Sequence, residues 1–145
     1  MLAASISFSP ATENDAEDLA ALRVQAMRPS LEQIGRFDPQ RARERFLSNF
    51  SPEYTRYILF EGVKVGFVVV RAEQDALLLD HLYIQSEHQG KGIGSMVLND
   101  LFSVADTQKK VIRVGALRGS ASNEFYVRHG FKLVETAEWD NYYVR

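Results

Sequence analysis

Three glycines at alternate positions constrain this chain more than any other feature. Gly90, Gly92 and Gly94 stand in the short polar stretch "EHQGKGIGS", after an apolar run, "LLLDHLYI", and before a segment that turns strongly apolar. That following segment, "IGSMVLNDLFSVADTQ", places Ile93, Met96, Val97, Leu101 and Val104 at helical spacing. Strand, glycine loop and amphipathic helix in that order form the arrangement in which N–H groups at a helix start collect a phosphate, aided by the helix dipole. A P-loop needs GxxxxGK[ST], and a dinucleotide fold needs GxGxxG near the start of a βαβ unit. The chain has neither pattern.

The rest of the chain narrows the class. Its 145 residues are enough for one compact core, burying roughly 70% of the unfolded surface. A formal net charge of -2 gives no electrostatic footprint for nucleic acid. Cysteine is absent, which excludes disulfides, thiolate metal sites and a cysteine nucleophile. His81, His88 and His129 are too scattered to mark a zinc site, so no metal is expected. No apolar run approaches the roughly 20 residues of a membrane span, and "MLAASISFSPATENDAEDL" lacks the basic start of a secretory signal. The expectation is a cytoplasmic protein with no membrane partner.

Along the chain, "SISFSPAT" alternates as a half-buried strand does. A helix is expected over "ENDAEDLAALRVQAM", capped by Asn14 or Asp15, with Leu19, Leu22, Val24, Ala26 and Met27 on its apolar face and Pro29 as its stop. Asp38 and Pro39 open a second helix that presents Phe46, Leu47 and Phe50. "TRYILFEGVKVGFVVVRAEQDALLLDHLYIQ" reads as three antiparallel strands with turns at Glu61–Val63 and Ala72–Asp75. "KKVIRVGAL" reads as a buried strand, "SASNEFYVRH" as a short helix ended by Gly130, and "FKLVETAEWDNYYVR" as a closing strand pair.

Gln89-Gly90-Lys91-Gly92-Ile93-Gly94 resembles the Q/R-x-x-G-x-G/A motif of the GNAT acetyltransferase superfamily, which binds the pyrophosphate of acetyl-coenzyme A. "LDHLYI" is similar to that family's central strand, and "NEFYVRHGF" to its later helix, in which an aromatic-tyrosine pair precedes Gly-Phe. The resemblance implies an α/β fold: a single GNAT-type domain over residues 1–145, with a mixed central sheet of six to seven strands, splayed between strands 4 and 5, and about four flanking helices. It implies acetyl-coenzyme A as co-substrate and no metal. The amides of Gly90, Lys91, Gly92, Ile93, Gly94 and Ser95 would hold the pyrophosphate, with glycines keeping Cβ atoms out of its way and Gln89 opening the motif. Lys91 either attracts phosphate or is simply solvated. The main chain of Leu82, Tyr83 and Ile84 would meet the pantetheine arm.

Family members often carry a proline after the central strand, where this chain has Ser86, and an asparagine ahead of the tyrosine, where it has Gly119. Asn123, three residues before Tyr126, either contacts the pantetheine or caps the short helix.

The implied reaction moves an acetyl group to a primary amine by direct transfer in a ternary complex. Tyr126 matches the family's general acid, which protonates the departing sulfur. The amine must lose a proton, and Asp80, His81 or a water chain are the routes the sequence offers. His129 reads as a favourable charge at a helix C-terminus. The acceptor is a small-molecule or peptide amine; Glu32, Glu138, Asp140, Trp139 and Tyr142 are equally well explained as its attractants or as ordinary surface. Family members often form homodimers, though no residue here specifies the interface. The alternative is a non-catalytic acyl-coenzyme A sensor.

Overall fold

The computed structural model describes residues 5–145; residues 1–4, part of the N-terminal stretch read above for a leader, lie outside them. β1 (Ile6–Pro10) pairs antiparallel with β2 (Thr55–Phe60), and β2 with β3 (Val63–Ala72) across the expected turn at Glu61 and Gly62. β4 (Ala76–Ile84) follows a turn in which the Glu73 N–H donates to the Ala76 carbonyl. β5 (Val111–Leu117), β6 (Lys132–Thr136) and β7 (Asp140–Val144) complete a seven-stranded mixed sheet in the order β1-β2-β3-β4-β5-β7-β6.

β4 and β5 run parallel, and a parallel pair needs a crossover. α3 (Ile93–Gln108) supplies it. The parallel ladder is short, running from Ala76–Val111 to Leu79–Val114, while β4 continues to Ile84 and β5 to Leu117. That early end is what a splay between the fourth and fifth strands requires.

Three other helices flank the sheet: α1 (Ala16–Gln33), α2 (Pro39–Asn49) and α4 (Ser122–Arg128). α2 begins as expected, with the Asp38 carboxylate accepting from the Arg41 N–H at 3.1 Å. α1 has Asp15, one of the two expected residues, at its N-cap position, though with no side-chain cap bond, and it departs from expectation at its C-terminal end. A 3-10 turn at Glu13–Asp15 precedes it, and the Asp15 carboxylate reaches back to the Thr12 N–H at 2.8 Å. Pro29 does not stop it: the helix runs on to Gln33. A proline ring removes one N–H, and here the ion pair between Arg28 and Glu32 bridges the same turn.

The chain forms two compact units, residues 5–69 with 82–93, and residues 70–81 with 94–145. In the first, Leu19 and Ala20 of α1, Phe46 of α2, Tyr57 of β2 and Phe67 and Val69 of β3 build the core, with Leu22, Leu47, Phe50 and Tyr83 packed around it. In the second, Leu77 and Leu79 of β4, Val97, Leu98, Leu101 and Ala105 of α3, and Ile112, Val114 and Ala116 of β5 are buried. Each such leucine or isoleucine contributes about 1.5–3 kcal/mol relative to exposure. Leu98 and Ala105 thus replace the expected Met96 and Val104, and Val104 is exposed. β5, expected as a buried strand, is buried on one face only, with Val111 and Arg113 exposed.

Candidate functional site

The glycine loop and the end of β4 belong to the first unit. Gly90 and Gly92 have φ values of 79° and 78°. These are left-handed conformations that strain a residue with a Cβ by roughly 1–2 kcal/mol. A Cβ on either would meet nothing within 4 Å, so the space beside them is open and the backbone alone demands glycine. Gly94 differs, because its Cβ would lie 3.1 Å from the tip of the Phe125 ring in the second unit, to which Gly94 itself belongs. Two of the glycines are thus required by the backbone conformation of the loop, and the third lets α4 pack against the start of α3. Ile93, buried, anchors the first turn of that helix.

Lys91 is exposed. Gln89 ties the loop to β4 by donating from Nε2 to the Ile84 carbonyl at 2.8 Å. One residue on, the Gln85 N–H donates to Val65 at 2.8 Å. Leu82 is half-buried. The Tyr83 ring packs edge-on against Phe67 at 6.2 Å, and burial, then the charge of Glu87, pushes its phenol above the ordinary value. Its carbonyl oxygen occupies the place where Gly66 would carry a Cβ, which fixes how closely β3 and β4 approach.

The second unit holds the remaining expected residues. Tyr126 is 6% exposed on α4, ringed by Phe125 at 5.4 Å, Phe131 at 5.3 Å and Tyr143 at 6.4 Å. Past it the helix ends as expected at Gly130, with Phe131 N–H to Tyr126 and Gly130 N–H to Val127, both 3.1 Å, a Schellman closure. Phe125 thus touches both Gly94 and Tyr126, all three within the second unit.

Asn123 does not cap α4. Its Nδ2 donates to the Leu117 and Ser120 carbonyls, both at 2.9 Å, and its Oδ1 accepts from Asn141 at 2.9 Å and the Tyr143 hydroxyl at 2.7 Å. Every hydrogen-bonding position of the amide is used inside the chain. A ligand contact through this side chain would break one of those bonds.

Asp80 has the partner that a carboxylate in an apolar strand requires: Arg71 Nε donates to its Oδ2 at 3.0 Å, and His81 Nε2 lies 3.8 Å from the same oxygen. Sequence reasoning named neither Arg71 nor the contact made by Ser95. The Ser95 hydroxyl lies 2.8 Å from Nε2 of His129, whose Nδ1 lies 2.7 Å from the Phe125 carbonyl. Thirty-four positions separate Ser95 from His129, and no local pattern connects them. Among the described residues there is no cluster of three His, Cys, Asp or Glu side chains able to hold a metal ion, and no helix long and apolar enough to cross a membrane.

A sequence model of the acetyltransferase (GNAT) domain matches residues 53–133. No curated relative matches the sequence. Among solved structures, the chain is similar to PaiA N-acetyltransferase from Thermoplasma acidophilum in complex with coenzyme A, at 17% identity and TM-score 0.78, covering 97% of this chain and 98% of that one. It is similar to an acetyltransferase from Thermus thermophilus at 18% identity and TM-score 0.74, covering 97% and 96%. It is also similar to Arabidopsis thaliana Naa50 in complex with the bisubstrate analogue CoA-Ac-MVNAL, at 18% identity and TM-score 0.62, covering 97% of each chain. At these identities the likeness is one of fold.

Proposed function

The chain belongs to the acetyltransferase (GNAT) family, and from that premise we propose that it moves an acetyl group from acetyl-coenzyme A to a primary amine by direct transfer. The observation that carries the coenzyme reading is the pair of left-handed glycines, Gly90 and Gly92, beside open space at the start of a 16-residue helix. The first four N–H groups of such a helix have no partner within it, and a pyrophosphate is the ligand that such donors and the helix dipole favour. Amides from Gly90 to Ser95 are the proposed cradle. The main chain of Leu82, Tyr83 and Ile84, beyond the last β4–β5 pair, is the proposed seat of the pantetheine arm.

Tyr126 is the proposed acid for the departing sulfur. A phenol near pKa 10 giving its proton to a thiolate whose thiol is near 8.5 works uphill by only about 2 kcal/mol. Asp80 is the proposed receiver of the ammonium proton, held in orientation by Arg71. The acceptor is a small amine or a peptide amine; the bisubstrate analogue on a similar fold recommends a peptide in the test panel.

Calorimetry with acetyl-coenzyme A, followed by release of free coenzyme A across an amine panel, tests this reading. Binding with acceptor-dependent release supports it. Binding without release by any amine identifies a non-catalytic acyl-coenzyme A sensor instead, and no binding removes the cofactor assignment along with the roles of Tyr126 and Asp80.

A further inference from the structure

We propose that His129 is a positioning residue that sets whether Ser95 offers a proton or a lone pair at the start of α3, so that occupation of the phosphate loop takes up a proton. The proposal rests on the phosphate-loop reading above.

The inference starts from an acceptor that cannot change. The Phe125 carbonyl, 2.7 Å from Nδ1 of His129, only accepts, so Nδ1 carries a proton in every state of the ring. In the neutral imidazole Nε2 is then a bare lone pair. The Ser95 hydroxyl, 2.8 Å away, must donate to it. That leaves Ser95 with only oxygen lone pairs to turn toward other groups, at a helix start whose neighbouring amides are all donors.

An anion entering there meets one wrongly poled group. Protonating the imidazole reverses it: Nε2–H now donates to Ser95 Oγ, and the hydroxyl proton is released to donate to a phosphate oxygen. The same step adds a positive charge beside the first turn of the helix. No bond other than N–H is made or broken, and the proton comes from solvent.

The groups in contact with the ring carry no charge. Its contacts are the Ser95 hydroxyl, the Phe125 carbonyl and the Phe125 ring, whose centroid is 4.6 Å away at a 47° tilt. Among the described residues the charged side chains of the two helices, Asp100 and Asp106 on α3 and Glu124 and Arg128 on α4, form no ion pair with it. Asp106 is taken by Arg145 at 2.8 Å.

The direction of the pH dependence separates this device from simple charge attraction. A phosphate monoester gains negative charge as pH rises through about 6, which by itself strengthens binding to a donor-lined loop at higher pH. Coupling to His129 predicts the opposite trend across about pH 6 to 8, where imidazoles change charge.

Calorimetry of coenzyme A binding to the whole protein, in buffers of different ionisation enthalpy, counts the protons taken up. The expected result is net uptake near pH 7 and affinity about tenfold weaker at pH 8 than at pH 6, the trend of one linked proton. H129Q, which keeps hydrogen-bonding groups but cannot gain the charge, should abolish the uptake and flatten the profile while circular dichroism stays unchanged. Should that variant fail to fold, proton counting on the unaltered protein, compared with pantetheine as a ligand lacking the pyrophosphate, still decides. Coenzyme A binding without proton uptake overturns the role of His129 and leaves the loop assignment standing. No coenzyme A binding at any pH overturns the loop assignment and this proposal with it.

Discussion

The place where Gly66 would carry a Cβ is filled by the carbonyl oxygen of Tyr83. The obstacle is backbone, so it cannot swing aside as a side chain would. Gly66→Ala must push β4 away from β3 at the residue whose main chain is proposed to meet the pantetheine arm. Overpacking of this kind commonly destabilises by about 1–3 kcal/mol. Urea denaturation should show that loss, and calorimetry should show weakened coenzyme A binding in the same variant. A variant of unchanged stability would mean that the two strands have room the structure denies them.

The glycines of the loop should separate by cause. Gly92→Val meets no neighbour but places a β-branched residue at φ 78°, so the loop must change its course and coenzyme A binding should weaken. Gly94→Ala instead presses on Phe125, and its first effect should be a lowered Tm with a smaller effect on affinity. Equal effects of both variants on Tm and affinity would contradict this division.

Tyr126→Phe removes only a hydroxyl from a residue that is 6% exposed and packed on three rings. If Tyr126 is the acid, kcat should fall by about 10²–10⁴ while the affinity for acetyl-coenzyme A is largely kept. A turnover number within twofold of the parent would assign Tyr126 to packing alone.

Asn123→Ala deletes two donors and an oxygen that receives two hydrogen bonds: the Asn141 amide and the Tyr143 hydroxyl lose their acceptor, while the Leu117 and Ser120 carbonyls keep the backbone N–H groups of Ser120 and Asn123. Unsatisfied buried groups cost about 1–3 kcal/mol each, so a loss of at least about 2 kcal/mol is expected in denaturant titration. Tyr143→Phe, which removes one of these bonds, should lose less.

Acid stability should depend on Asp15. The Thr12 backbone N–H, the foremost cause, holds its carboxyl below the ordinary value of 3.8, with the Tyr57 hydroxyl and Lys64 adding to the shift against the opposing effect of burial. A carboxyl lowered in the folded state stabilises fully above its unfolded value, and that contribution is lost as pH falls through the lowered one. Tm measured from pH 6 down to about pH 2 should therefore fall less steeply for Asp15→Asn than for the parent protein below about pH 4.

Much of this was legible in order and spacing alone. The glycine loop, the amphipathic α3, the Asp38 cap of α2 and the Gly130 stop of α4 are local, because each depends on residues within one or two turns of one another. The hairpin turn at Glu61 and Gly62 is local for the same reason. Where the reading failed, the deciding partner was distant or the environment was set by packing. β5 was read as a buried strand from its apolar content, but one face is left uncovered, and Val111 and Arg113 look outward. Pro29 was read as a stop because proline removes an N–H, yet a single lost bond inside an 18-residue helix does not end it.

By itself the sequence determined the strand–loop–helix order and the places where glycine is required, since periodicity and permitted φ are properties of neighbouring residues. Only tertiary structure decided which group each polar side chain would spend its hydrogen bonds on. It gave Asp80 to Arg71, closed all four positions of Asn123, set the Tyr83 carbonyl against Gly66, and brought Ser95 to His129. Those pairings join residues far apart along the chain, and hydrogen bonds act only at contact distance, so no local pattern encodes them.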